Sequence, residues 1–304
     1  MNRRASMLTH LSPTTRVWLG VCATCAVTLL GCVTTPVEQP AVEALLAAEA
    51  TFSRMAAERG IRASCLARFS ADGLLFQPAP VRVHEVWAAA RPAPADPLAL
   101  QLDWTPAAAA VAASGEMGYT TGPFTLTDRA SSRPPQHGIY TSVWRKNVVG
   151  EWQVLLHAEV PTNAATEPAT LLPAPKLRGA ASKPNFPQML SPADIERSIR
   201  NSPLETFASW LATDARWYRS GNAPILLREP LATALHADWR AVSLSNTAGG
   251  GSATGDFAYT YGVLETEGTG ASRSAGHYVN LWSRDDYGVW RIAVAVWLQP
   301  SANR

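Results

Sequence analysis

Cysteine is scarce in this chain, with four among 304 residues, and charge is scarce too, at 16% of residues. The 26 basic and 24 acidic side chains nearly cancel, so there is no cationic surface of the kind a nucleic-acid partner requires. No apolar run approaches the roughly 20 residues that a helix needs to span a bilayer. Beyond residue 31 the HxH, HExxH and CxxC spacings that hold metals are missing, as are the GxSxG elbow and the phosphate-binding glycine loop. Those gaps remove the motifs of metal, serine-hydrolase and nucleotide-hydrolase chemistry, and no metal or cofactor is expected.

What the N-terminus does carry is an address. Residues 1–16 hold Arg3, Arg4 and Arg16 and no acid, and Val17 to Leu30 are uncharged. A basic start followed by a short apolar segment reads as a signal peptide. It ends in Leu29-Leu30-Gly31-Cys32, which resembles the lipobox of bacterial lipoproteins. The resemblance implies cleavage before Cys32, lipidation of its thiol and attachment to a membrane. Val33 in place of an aspartate implies sorting to the outer membrane, with the body of the protein in the periplasm. Removal of residues 1–31 leaves 273 residues and turns the formal charge from +2 to −1, because three arginines and no acid leave. Cys22 and Cys25 leave as well, so Cys65 remains as the one free thiol and no intrachain disulfide is expected. With Leu66 and Phe69 it falls in an apolar helical pattern, as a buried, inert cysteine does.

The body of the chain is written twice. Ser114 to Gly122, SGEMGYTTG, recurs as TGDFAYTYG at Thr254 to Gly262, and His137 to Trp152 recurs at Ala275 to Trp290. Gly138, Tyr140, Trp144, Gly150 and Trp152 meet Gly276, Tyr278, Trp282, Gly288 and Trp290 in the same order and at nearly constant offset. Such collinearity marks a tandem duplication. Glu116 and Asp256 share a position after a glycine, where an acid is ordinarily a solvated turn residue.

Each copy starts helical and ends extended. Residues 41–59 place Val42, Leu45, Leu46, Phe52 and Met55 on one side of a helix, and Glu49 interrupts that stripe. A second helical run through Cys65 and Phe69 is expected to turn at Ala71-Asp72-Gly73. In the second copy Ser191-Pro192 is a helix start, and LETFASWLATDA reads as helix. Gly118 to Leu126, Ile139 to Lys146 and Trp152 to Val160 are strands, with Tyr140, Ser142 and Trp144 on one face. This pattern gives a class of α+β, with helices packed on a curved antiparallel sheet. The expected segments are a signal peptide at 1–31, a tether at 32–40, a first domain at 41–160, a Pro/Ala-rich linker at 161–190 and a divergent second domain at 191–300.

DGLLFQPAPV, the stretch from Leu102 to Phe124 and HGIYTSVWRKNVVGEWQVLLHAEV resemble the SnoaL-like or DUF4440 branch of the nuclear transport factor 2-like superfamily. The resemblance implies two tandem cone-shaped domains in which helices wrap a bent sheet around a pocket. Members include isomerases and dehydratases, and also proteins that only bind ligands or other proteins, so fold alone leaves the function open. Many members carry an aspartate near the end of the last strand, where this chain has His157.

The expected pocket residues are Trp104, Tyr119, His137, Tyr140, Trp144 and His157. Acid–base chemistry would need His137 or His157 as base and a tyrosine or tryptophan as donor. Trp144, Trp152, Trp282 and Trp290 are repeat-paired and read as framework. Trp87, Trp104, Trp210, Trp217, Trp239 and Trp297 either line a pocket or fill the core. The expected protein is therefore lipid-anchored and binds a small apolar molecule or a protein partner without catalysis. The alternative is an isomerase, dehydratase or hydrolase that uses the first pocket.

Overall fold

The computed structural model describes residues 38–77, 79–88, 95–163, 165, 190–226, 239–268 and 273–299. The expected signal segment, Cys32, most of the tether and most of the linker lie outside them. The first half comprises α1 (Glu38–Arg59), α2 (Ile61–Arg68), β1 (Phe69–Phe76), β2 (Pro80–Arg82), α3 (Val83–Ala88), β3 (Leu100–Trp104), β4 (Ala108–Val111), β5 (Met117–Asp128), β6 (Gln136–Lys146) and β7 (Trp152–Thr162). The second comprises α4 (Pro192–Ser198), β8 (Ser202–Pro203), α5 (Leu204–Ser209), β9 (Leu211–Arg219), β10 (Ile225–Leu226), β11 (Trp239–Gly251), β12 (Phe257–Gly268), β13 (Arg273–Arg284) and β14 (Trp290–Leu298). Each half has the expected α+β architecture, helices first and a sheet after them.

The strands run β2-β1-β7-β6-β5-β3 in the first sheet, with β4 also on β5, and β10-β9-β14-β13-β12-β11-β8 in the second. Both sheets are mixed rather than purely antiparallel, because β1 lies parallel to β7 and β9 parallel to β14. That pairing overrides two local expectations. Ala71-Asp72-Gly73 is a bulge inside β1, with the ladder resuming at Leu74, because both ends of the segment are held by β7. Leu211 to Arg219 is a strand, because β14 supplies the backbone partners that a continued α5 would forgo. Helix α4 starts as its sequence directs, with Ser191 and Asp194 forming a reciprocal capping box.

Two repeat-matched glycines have a steric reason. A Cβ on Gly122 would stand 2.1 Å from the Thr105 carbonyl oxygen, where the chain kinks between β3 and β4. A Cβ on Gly262 would stand 2.0 Å from the Ser245 carbonyl oxygen, at the bulge of β11, which is the single-strand counterpart of that kink.

Strand alternation then sorts the side chains into layers. In the first half one sheet face, with Tyr140, Trp144 and Val154, packs under α1 and α2 against Leu45, Phe52 and Cys65. In the second, Trp282, Ile292 and Trp297 pack with Ile195 and Phe207. The opposite faces meet each other in a shared core that joins Tyr119, Val143 and Leu156 to Phe257, Val279 and Val296. At its edge the Ala113 N–H donates to Asp256 Oδ2 at 2.8 Å and the Ala253 N–H donates to Glu116 Oε1 at 2.7 Å. Asp256 is fully buried, and the solvated-turn reading of these two acids is thereby corrected.

Candidate functional site

Helices α1 and α2, strands β1 and β3 and the end of β7 enclose a cavity of about 820 Å³ in the first half. Its wall is largely apolar, with Phe52, Leu75, Phe76, Trp87, Leu102 and Trp104 among the lining residues. The polar exception on the sheet side is a pair on β7. Alternation puts His157 and Glu159 on the same face, two residues apart, and both line the cavity.

The pair is held from behind. His157 Nδ1 is 2.8 Å from Ser142 Oγ on β6, and His157 Nε2 is 3.1 Å from Glu159 Oε1. The imidazole stacks on Tyr140 with ring centroids 5.9 Å apart and an interplanar angle of 18°. Phe69 packs against it at a tilt. His157 is buried at 5% exposure, whereas the Glu159 side chain is 30% exposed. Ser142 is fully buried and orients the ring without reaching the cavity.

A second polar cluster stands behind the wall. Glu49 is fully buried and accepts from Trp104 Nε1, from Thr120 Oγ1 and from Trp144 Nε1. Trp144 Nε1 also donates to Thr120 Oγ1 at 3.0 Å. Burial pushes the Glu49 carboxyl above its ordinary range, opposed by the hydrogen bonds from Thr120 and Trp104 and by nearby His157. Through the Trp104 indole, Glu49 fixes one side of the cavity, which Phe52 closes from α1 at a centroid distance of 5.0 Å. Cys65 also lines the cavity, and burial raises its thiol far above the usual range, so it stays protonated.

The second half repeats the cluster and lacks the cavity residues. Glu196 on α4 is fully buried and accepts from Thr260, Tyr278, Asn280 and Asn246, while Trp282 Nε1 donates to Thr260. Burial raises the Glu196 carboxyl too, with hydrogen bonds from Thr260 and Asn280 drawing it back. The ladders align His157 with Ala295 and Leu75 with Trp217, since Ser142↔His157 and Asn280↔Ala295, and likewise Leu75↔His157 and Trp217↔Ala295, are paired. Two residues further on, Glu159 meets Trp297. Trp217 and Trp297 pack edge-on at 5.2 Å, and Phe207 lies 5.1 Å from Trp297. Indoles thus fill the volume that leucine and glutamate leave open.

Of the residues singled out in the sequence, Trp104 and His157 line the cavity, and Tyr140 and Trp144 lie directly behind it in the same core. Tyr119 lies on the other face of the sheet, stacked on Phe257 of the second half at 5.9 Å. His137 is near the outer end of β6, where its Nδ1 pairs with Thr125 Oγ1 at 3.1 Å, and it does not line the cavity. Glu159 was missed. The signal that marked it was the repeat itself, which sets a glutamate against a tryptophan. Trp217 and Trp297 prove to be core filling, and among the described residues no group of three or more His, Cys, Asp or Glu side chains could hold a metal.

No family model matches the sequence, and no curated protein matches it. Solved structures are similar over part of the chain. A ketosteroid isomerase-like protein from Erwinia carotovora atroseptica is 18% identical over 40% of this chain and 97% of that one, with a TM-score of 0.32. A nuclear transport factor 2-like protein of unknown function from Exiguobacterium is 11% identical over 36% of this chain and 95% of that one, at 0.26. A protein with a cystatin-like fold from Nostoc punctiforme is 12% identical over 38% of this chain and 97% of that one, at 0.28.

Proposed function

We propose that this protein binds a small apolar molecule in the first-half cavity, without chemical turnover, and that the second half is a filled structural partner. The observation that supports the reading is internal to the chain. One copy of the repeat keeps Leu75, His157 and Glu159 around about 820 Å³ of space, and the other closes the same position with Trp217, Ala295 and Trp297. A pocket of that size forfeits packing contacts, and the buried His157 on its wall adds a desolvation cost. A function that uses the space accounts for both costs.

The test is to transplant the closing residues. The variant Leu75→Trp with Glu159→Trp should fold, and should lose binding of an apolar, environment-sensitive dye that the unaltered protein takes up. Equal dye binding by both would overturn the reading.

We further propose that Cys32 is lipidated and holds the protein on the outer membrane, facing the periplasm. The basic, apolar, Leu-Leu-Gly-Cys order supports this. Among the described residues no helix is long and apolar enough to cross a membrane. Cys32→Ala should abolish incorporation of a fatty-acid probe, and persistent labelling would refute the anchor.

A second reading, acid–base turnover of the bound molecule, is favoured by one observation, the 3.1 Å pair of His157 and Glu159 at the cavity wall. It predicts a reaction that Glu159→Gln slows while the ligand still binds.

A further inference from the structure

The β6–β7 and β13–β14 hairpins carry the same turn, built twice. Asn147 Oδ1 accepts the N–H groups of Val149 and Glu151 at 3.1 and 2.9 Å, and Asp285 Oδ1 accepts those of Tyr287 and Val289 at 3.0 and 2.9 Å. A glycine of positive φ follows in each, Gly150 at +86° and Gly288 at +77°. Each turn thus holds an apolar residue in solvent at the matched position, Val149 in one copy and Tyr287 in the other. Among the described residues Val148, Tyr287 and Val149 are the most exposed large hydrophobic side chains, at 104, 83 and 74%. Single exposed apolar residues are ordinary, but turn tips favour polar ones, and here the same place is apolar twice.

Both tips stand at one end of the molecule. Met117 opens β5 opposite Arg145, and Phe257 opens β12 opposite Ser283. The tips therefore project beside the β4–β5 and β11–β12 turns, whose Ser114 and Thr254 hydroxyls touch. Helix α1 starts at that end too. A Cβ on Gly118 would lie 3.1 Å from Leu45 Cδ2, whereas Ser53 Oγ donates to the Trp104 carbonyl, level with Phe124, so the helix runs in the sense of β5. Its first residue, Glu38, lies about 10 Å of helix before Leu45, which matches the height of a tip three residues beyond the sheet.

From this we infer that this end of the protein rests on a phospholipid bilayer, with Val148, Val149 and Tyr287 entering the headgroup layer. The inference rests on the lipidation of Cys32. Five residues separate Cys32 from α1, so the anchoring bilayer lies within about 20 Å of the helix start. Tyrosine suits that depth, because its ring is apolar and its hydroxyl stays wet. The two turns are neutral in sum, with Lys146, Arg284 and Arg291 against Glu151, Asp285 and Asp286, so no attraction to anionic lipid is required. The cavity is lined by α1 only from Phe52 onward, which holds it on the side away from the bilayer.

The experiment places the full lipidated chain in phosphatidylcholine vesicles in which a fraction of the lipids carries a nitroxide at the headgroup. A charged, water-soluble fluorophore is attached to Val149→Cys, to Tyr287→Cys or, as a control on the exposed β5–β6 turn at the far end, to Ser131→Cys. Cys65 is buried and stays unlabelled. The labels at positions 149 and 287 should both lose emission to the nitroxide, and the label at position 131 should keep it. Flotation of the vesicles reads the anchor separately. A chain that floats with either tip unquenched, or with all three labels quenched alike, would overturn the docked face while leaving the anchor standing, and would turn the tips over to a protein partner. A chain that does not float would overturn both.

Discussion

Ser114 and Thr254 occupy the same position in the two copies of the repeat, and their hydroxyl oxygens meet at 3.1 Å. A residue that touches its own counterpart marks a local two-fold relationship. The flanking contacts obey it, since Asp256 reaches Ala113 and its counterpart Glu116 reaches Ala253. The chain thus carries inside itself the self-complementary interface that a symmetric dimer would form between subunits.

The two arms of that interface differ in burial and should differ in strength. Asp256 accepts from the Ala113 N–H, Ser252 and Thr254 in a buried setting, so Asp256→Ala should cost about 2–3 kcal/mol. Glu116→Ala removes the one contact from the less buried side and should cost about 1 kcal/mol. Urea unfolding of both variants measures this, and the reverse ranking would contradict the geometry.

A fragment ending at Asn163 would expose the sheet face that carries Val143, Leu156 and Tyr119. Uncovered apolar faces of that kind associate. The fragment should therefore run as a dimer or larger species in light scattering, whereas a stable monomer would show that the second half is dispensable as a cover.

Both buried glutamates should make stability fall as pH rises. Burial holds Glu49 and Glu196 above their ordinary value of 4.5. The folded chain then keeps protons that the unfolded chain has released. Their contribution is complete below that value and is lost as pH climbs through the raised one, with a limiting slope of about 1.4 kcal/mol per pH unit for each group. Denaturant midpoints between pH 4.5 and neutrality should decline in the native chain and flatten in Glu49→Gln with Glu196→Gln. A slope that persists in the double variant would assign it to other groups.

Removing Trp297 should reopen the closed half. Trp297 is fully buried against Trp217 and Phe207, and Trp297→Ala should cost about 3–5 kcal/mol. If the variant still folds, it should take up a second equivalent of apolar dye in a titration. Unit stoichiometry would mean that the wall collapses into the space instead.

Gly122→Ala should be among the most damaging single-methyl additions in the chain. The added Cβ meets a backbone oxygen at 2.1 Å rather than a movable side chain, for an expected loss of about 2–3 kcal/mol. Thermal unfolding reads it directly, with Gly115→Ala as the comparison, because there the added Cβ meets nothing within 4 Å but the φ of +74° is strained.

Much of the fold was legible because it is local or periodic. The strands at Gly118, Ile139 and Trp152 carry their alternation within single segments, and β5, β6 and β7 were found within a few residues of their ends. The equivalence of Glu49 and Glu196 was not legible. They serve the same Thr–Trp pair in each half but are 147 residues apart, against 140 for Thr120 and Thr260 and 138 for Trp144 and Trp282. The glutamate-bearing helices differ, with 22 residues in α1 and 7 in α4, while β5, β6 and β7 keep the order of β12, β13 and β14.

The sequence by itself determined the duplication, the α+β order of elements, the glycine positions and the inward aim of Glu49, since each depends on residues a few places apart or on a constant offset. The tertiary structure decided which side of the sheet Tyr119 serves, that β1 pairs in parallel with β7 and β9 with β14, and that a position left open in one half is filled in the other. Those outcomes depend on volumes and backbone partners summed over elements far apart in the chain. The difference between Leu75 with Glu159 and Trp217 with Trp297 becomes a cavity only when the strands that carry them lie side by side.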